Sequence, residues 1–137
     1  MEALKDKVLF ELGMIKLREV QIEDMKLRIE DMRIGDTLKA IGYDDMPVSP
    51  SKKCANNDSN MFAIEKLEAI IKRYEISNKR IHNALNILNE EEIEVVQLVC
   101  IDKVSFNKAS VKLGKQRQTL KKIRDLALGK MVIFYTE

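Results

Sequence analysis

The sequence predicts an all-α protein in which long amphipathic helices, arranged as an antiparallel pair or a coiled coil, precede a set of shorter helices. Three observations predict it. Aromatic residues make up 5% of the chain and Trp is absent, so a core has to be built from Ile, Leu, Val and Met, which favours helical packing over an aromatic-rich sandwich. Apolar residues recur at steps of three, four and seven through two long stretches, the period of a helix rather than a strand. Both prolines, Pro47 and Pro50, lie in one short segment and leave the rest of the chain free of the strongest helix breaker. At 137 residues and 45% hydrophobic content the chain has enough apolar material for one modest core.

Residues 1–41 read as one long helix. Val8, Ile15, Ile22 and Ile29 repeat every seven residues, with Leu4, Met25 and Met32 on the companion line. Glu11 and Arg18 break that second line, so the spacing predicts an amphipathic helix with a broad apolar face, widened by Leu12 and Leu27, rather than a continuous two-stranded coiled coil. Gly35 and Gly42 are expected to weaken it and then end it.

Residues 42–60 lose the repeat and are rich in Asp, Pro, Ser, Lys and Asn, which predicts a solvated linker. Its Ser49, Ser51 and lysines could also be read as a regulatory or phosphate-binding motif. A second long helix is expected over 61–88, where Leu67, Ile71, Tyr74, Asn78, Ile81, Leu85 and Leu88 alternate steps of four and three, preceded by Ile64. Asn78 is the polar intruder. Either it is buried in the seam, where its need for a hydrogen-bond partner fixes register or oligomeric state, or the Ile76, Ser77, Asn78 run of poor helix formers splits the helix. Neither stripe tolerates water, so pairing of some kind is required. Two helices folded back on each other and a homodimer through the long helices both satisfy it.

Residues 89–131 read as two short helices and a basic third. Asn89 with Glu92 three positions on forms a capping box, ahead of Ile93, Val96 and Cys100 at helical spacing. Ser105 caps a short segment that turns Phe106, Ala109 and Leu113 inward, and Gly114 follows where a left-handed residue stops a helix. Leu120, Ile123, Ala127 and Met131 then share one stripe, opposite Arg117, Gln118, Lys121 and Lys122. The turn residues stand where a helix-turn-helix needs them. Residues 132–137 form an apolar tail expected to dock on the chain itself.

The net charge of +2 conceals a strong asymmetry. Lys103–Lys130 holds nine basic residues against one acid, Asp125, a net of +8 that leaves −6 for the remainder. A basic end of this kind points to a polyanion. Arg117, Gln118, Lys121 and Lys122 are the candidate base readers, since Arg and Lys reach guanine edges and Gln pairs with adenine. Lys103, Lys108, Lys115 and Arg124 are the candidate phosphate contacts.

No enzyme site assembles. The lone His82 is flanked by Lys79, Arg80 and solvent-seeking neighbours, and Glu90, Glu91, Glu92 and Glu94 crowd a helix start that the dipole favours. Cys54 and Cys100 have no metal-ligand spacing, so no metal or cofactor is expected, and Cys100 reads as a buried free thiol. The acidic start and the absence of a long apolar run predict a cytoplasmic protein without membrane contact.

Leu88, Glu92, Val95 and Val96, then Ser105 and Phe106, Leu113 and Gly114, and Thr119, Leu120, Ala127, Leu128 and Lys130 together resemble region four of bacterial sigma factors. The chain as a whole is similar to the sigma-like regulators carried by prophages of Gram-positive bacteria, the ArpU and RinA type. The resemblance implies a sigma region-four-like helix-turn-helix, binding to double-stranded DNA and transcriptional activation of phage or prophage late genes, with RNA polymerase as a further partner. No sigma region two is visible, so a complete promoter-melting factor is not implied. The alternative is a helical protein–protein adaptor that never touches DNA.

Overall fold

The computed structural model describes residues 2–40 and 50–136, with side chains placed over 2–40 and 60–136. The described residues form five α-helices and no strand: α1 (Glu2–Ala40), α2 (Pro50–Leu85), α3 (Glu90–Val96), α4 (Phe106–Leu113) and α5 (Arg117–Met131). A π-helical turn, Gln97–Ile101, follows α3, and a 3₁₀ turn, Val132–Phe134, follows α5. The chain divides into two units, Glu19–Glu75 and Met1–Arg18 with Ile76–Glu137, and α1 and α2 contribute to both.

The start of α2 corrects the linker expected over 42–60. Residues 42–49, with Gly42, Pro47 and Ser49, lie outside the described residues, as do the side chains of Ser51 and Cys54. From Pro50 onward the chain is helical. Proline breaks a helix interior, but at the first helical position its missing N–H would have no partner and its fixed φ suits the helix. Read as a breaker, Pro50 is a start. The helix also ends at Leu85, three residues early, and Leu88 closes a turn on the Leu85 carbonyl at 3.1 Å.

In the Glu19–Glu75 unit the two helices run antiparallel. Arg33 donates to Glu68 Oε1 at 3.0 Å and Asn60 to Asp36 Oδ1 at 2.9 Å, so positions fall along α2 as they rise along α1. Met25, Ile29, Ile64 and Ile71 are buried between them, and Ile22, Met32, Leu67 and Tyr74 close the sides. The heptad stripe of each helix is therefore filled by the other helix of the same chain. Gly35 does not interrupt α1. Leu27, expected to widen this face, is exposed.

In the other unit, Val8, Leu12 and Ile15 of α1 pack with Ile81 and Ala84 of α2 and with Leu88, Val96, Cys100, Leu128 and Met131. Helix α2 runs unbroken through Ile76, Ser77 and Asn78. Asn78 is buried, and its Nδ2 donates to the Ile15 carbonyl at 3.2 Å. Of the two readings of Asn78, the buried one holds, and the partner is the chain's own backbone. Glu11 and Arg18, expected to break the apolar line, instead form an ion pair that is largely shielded from water. Seven residues apart on one helix, they lie on the same side and satisfy each other, which makes their burial tolerable.

The apolar tail docks on its own chain: Val132 and Tyr135 are buried and Ile133 faces out. The Tyr135 ring lies under the Arg80 guanidinium at 5.1 Å, and Arg80 also donates to the Phe134 carbonyl at 3.0 Å. Burial, with the nearby Glu11 carboxylate, pushes the Tyr135 hydroxyl above its ordinary pKa. Among the described residues no helix is long and apolar enough to cross a membrane.

Candidate nucleic-acid interface

Three local devices position α3, α4 and α5, and each is written in the nearby residues. Asn89 Oδ1 accepts from the Glu92 N–H at 2.8 Å while Glu92 Oε1 accepts from the Asn89 N–H at 3.1 Å, the reciprocal capping box. Ser105 Oγ accepts from the Lys108 N–H at 3.3 Å and starts α4. Gly114 ends α4 at φ 65°, where a side chain is strained, and the N–H groups of Gly114 and Lys115 both return to the Ser110 carbonyl, at 2.9 and 3.3 Å. Helix α5 starts three residues after Gly114, at Arg117, without a side-chain cap. The turn between α4 and α5 is thus held by backbone geometry, with Ser110 Oγ donating to the Lys115 carbonyl as a further tie.

A small core of Val95, Ala109 and Leu120, bordered by Val99, Phe106, Leu113 and Ile123, holds the three helices together. One expected inward residue is misplaced. Ile93 is exposed, and the buried side of α3 is Glu92, Val95 and Val96. A seven-residue helix has too few turns for its stripe to be read from spacing, and the capping box rotates Glu92 rather than Ile93 toward α5. There Lys130 donates to Glu92 Oε1 at 2.8 Å. Burial pushes the Glu92 carboxyl up, but the Lys130 ammonium and the Asn89 N–H outweigh it, and its pKa lies below the ordinary value.

Helix α5 presents two sides. Leu120, Ala127, Leu128 and Met131 are buried, while Arg117, Gln118, Lys121 and Lys122 are all exposed. Arg117, Gln118 and Lys121 line a shallow depression with Gln116 and Ser110, so the start of α5 and the end of α4 share one surface. Of the residues predicted to grip phosphate, Lys108 and Lys103 are exposed. Lys103 adopts φ 58° and its aliphatic chain passes Gly13 of α1. The other two are partly engaged. Lys115 Nζ lies 3.0 Å from Glu91 Oε1, and the Arg124 guanidinium pairs with Asp125 Oδ1 at 3.3 Å.

Phe106 does more than pack inward. Arg124 stacks on its ring at 5.1 Å and Lys121 approaches it at 5.6 Å, distances at which the ring's negative face attracts a cation. The spacing of Lys121 and Arg124, three apart on one helix, was the available signal, but only the α4–α5 crossing brings the ring beneath them. Gln116 likewise joins the surface only through that crossing.

Elsewhere the chemistry is sparse. Cys100 is a buried free thiol whose pKa burial raises to about 11, and His82 is exposed. Among the described residues no group of three or more His, Cys, Asp or Glu is placed to hold a metal ion. Asp102, in the turn after the π-helix, accepts from Lys16 of α1, and that bond holds its carboxyl below the usual range. Comparison of the chain with protein-family models, with curated proteins and with solved structures finds no match.

Proposed function

We propose that this chain is a sequence-specific DNA-binding transcription regulator that inserts the start of α5 into a major groove through a sigma region-four-like helix-turn-helix. One observation carries the reading. The four base-reader candidates, Arg117, Gln118, Lys121 and Lys122, are all exposed within the first two turns of α5, with Gln118 and Lys122 opposite its buried stripe and Arg117 and Lys121 beside it. A helix offers bases its outward side, and Arg, Lys and Gln are the side chains that pair with guanine and adenine edges there. Lys103, Lys108 and the exposed Lys112 of α4 supply phosphate contacts. By its resemblance to phage late-gene regulators the chain activates transcription in contact with RNA polymerase.

The test is the salt dependence of duplex affinity. Selection from random duplexes, followed by titration of the enriched site at about 50 to 200 mM salt, is expected to show affinity falling by one or more powers of ten as counterions are released. Absence of duplex binding at the low end of that range rejects the reading in favour of a protein–protein adaptor.

A further inference from the structure

Helix α1 carries apolar residues on two sides. One side, Ile22, Met25, Ile29 and Met32, is packed against α2. On the other, Val20, Leu27, Ile34 and Leu38 remain 66%, 54%, 51% and 43% exposed. At 3.6 residues per turn these four fall within about 20° of a single line running roughly 27 Å along the helix. Glu23 and Glu30 stand about 40–60° to one side of that line and Asp24 and Asp31 about as far to the other, and all four are exposed. Among the described residues the basic group tied to this border is Arg28, whose Nε lies 3.1 Å from Asp24 Oδ2.

We propose that this acid-bordered apolar strip, Val20 to Leu38 of α1, docks an amphipathic helix of a partner protein whose apolar seam is flanked by Lys or Arg. Helical spacing of the apolar residues fits the ridge of another helix. The charge selects among occupants. A second copy laid on the same strip would set Glu and Asp against Glu and Asp, and an anionic lipid surface or a nucleic acid would meet the same repulsion. The chain's own basic helix, offered by a second copy, is excluded because the apolar side of α5 is already buried. A cationic amphipathic helix buries the strip and neutralises both borders at once.

The test uses the full chain and a labelled synthetic helix of three heptads with Leu along the seam and Lys on both flanks, beside an otherwise identical helix with Glu on the flanks. Fluorescence anisotropy is expected to show saturable binding of the Lys helix and binding of the Glu helix at least about tenfold weaker. The double substitution Leu27→Ser with Ile34→Ser is expected to weaken the Lys helix by at least about tenfold while leaving the melting temperature nearly unchanged, because both side chains are exposed. Three results overturn the proposal: no binding of the Lys helix, equal binding of both helices, or binding indifferent to the double substitution. A wild-type dimer in sedimentation that the double substitution dissociates assigns the strip to a second copy and also overturns it. None of these outcomes depends on DNA binding by α5.

Discussion

Replacing Asn78 with Leu tests what holds α1 and α2 in register. Asn78 is 7% exposed, its Nδ2 donates to the Ile15 carbonyl at 3.2 Å, and its Oδ1 is buried without a hydrogen-bond partner. The substitution forfeits one neutral hydrogen bond, a net loss of about 1 kcal/mol. It also removes an unsatisfied buried acceptor, whose desolvation costs about 1–3 kcal/mol, and adds branched aliphatic surface to an apolar seam, a gain on the order of 1 kcal/mol. The Ile15 carbonyl lies mid-helix, where the main-chain ladder uses one of its lone pairs, so losing Asn78 does not strand it. The expected outcome is a protein about 1–3 kcal/mol more stable. Urea unfolding followed by circular dichroism measures the stability, and light scattering should report an unchanged mass, since the partner of Asn78 is in the same chain. A loss of about 1 kcal/mol or more, the worth of one hydrogen bond, would mean that Oδ1 is satisfied, by ordered water for instance. A changed mass would mean that the seam has a partner in another molecule.

Other expectations concern the three C-terminal helices. Lys121→Ala with Lys122→Ala should weaken duplex binding by about tenfold or more, with a melting temperature within a few degrees of the parent, because both residues are exposed on α5; equal loss of stability and binding would show that the wrong side of the helix was chosen. Gly114→Ala should cost about 1–2 kcal/mol, entirely from the left-handed backbone, since an added Cβ would meet no atom within 4 Å; no change in unfolding free energy would contradict that conformation. Glu92 has a folded pKa below its unfolded value of about 4.3, so its stabilisation is present above that pH and is lost as pH falls through the lower, folded value. Glu92→Gln should therefore flatten the acid limb of the stability–pH curve, and an unchanged slope would dissociate Glu92 from Lys130. Cys100, buried and with its pKa raised to about 11, should resist thiol reagents at neutral pH until the protein unfolds, and rapid labelling of Cys100 in the native state, located by peptide mass, would contradict its burial.

Three features of the site were legible because their causes are local. The Asn89–Glu92 box, the Ser105 cap and the Gly114 stop each act over three to five residues, and each stands where the spacing predicted. The exposed placement of Gln118 and Lys122 was legible for a similar reason, since in a fifteen-residue helix an apolar stripe determines the opposite side, whereas Arg117 and Lys121 lie beside the stripe and are exposed near the start of the helix. Ile93 was misassigned because α3 is too short for that argument. Pro50 was misassigned because a proline's meaning reverses between the first turn of a helix and its interior.

By itself the sequence determined the helical class, the turn chemistry of the C-terminal helices and the concentration of positive charge on them. These follow from backbone propensity and from the 3.6-residue period, which a chain carries before it packs. Only the tertiary structure decided what each surface meets. It set the stripes of α1 and α2 against each other, turned Asn78 onto the Ile15 backbone, paired Glu11 with Arg18 inside the protein, and drew Lys115 and Lys130 into contacts with Glu91 and Glu92. An apolar stripe or a charged side chain specifies the kind of neighbour that lowers its free energy. The identity of that neighbour depends on which distant segment the packed chain brings within reach.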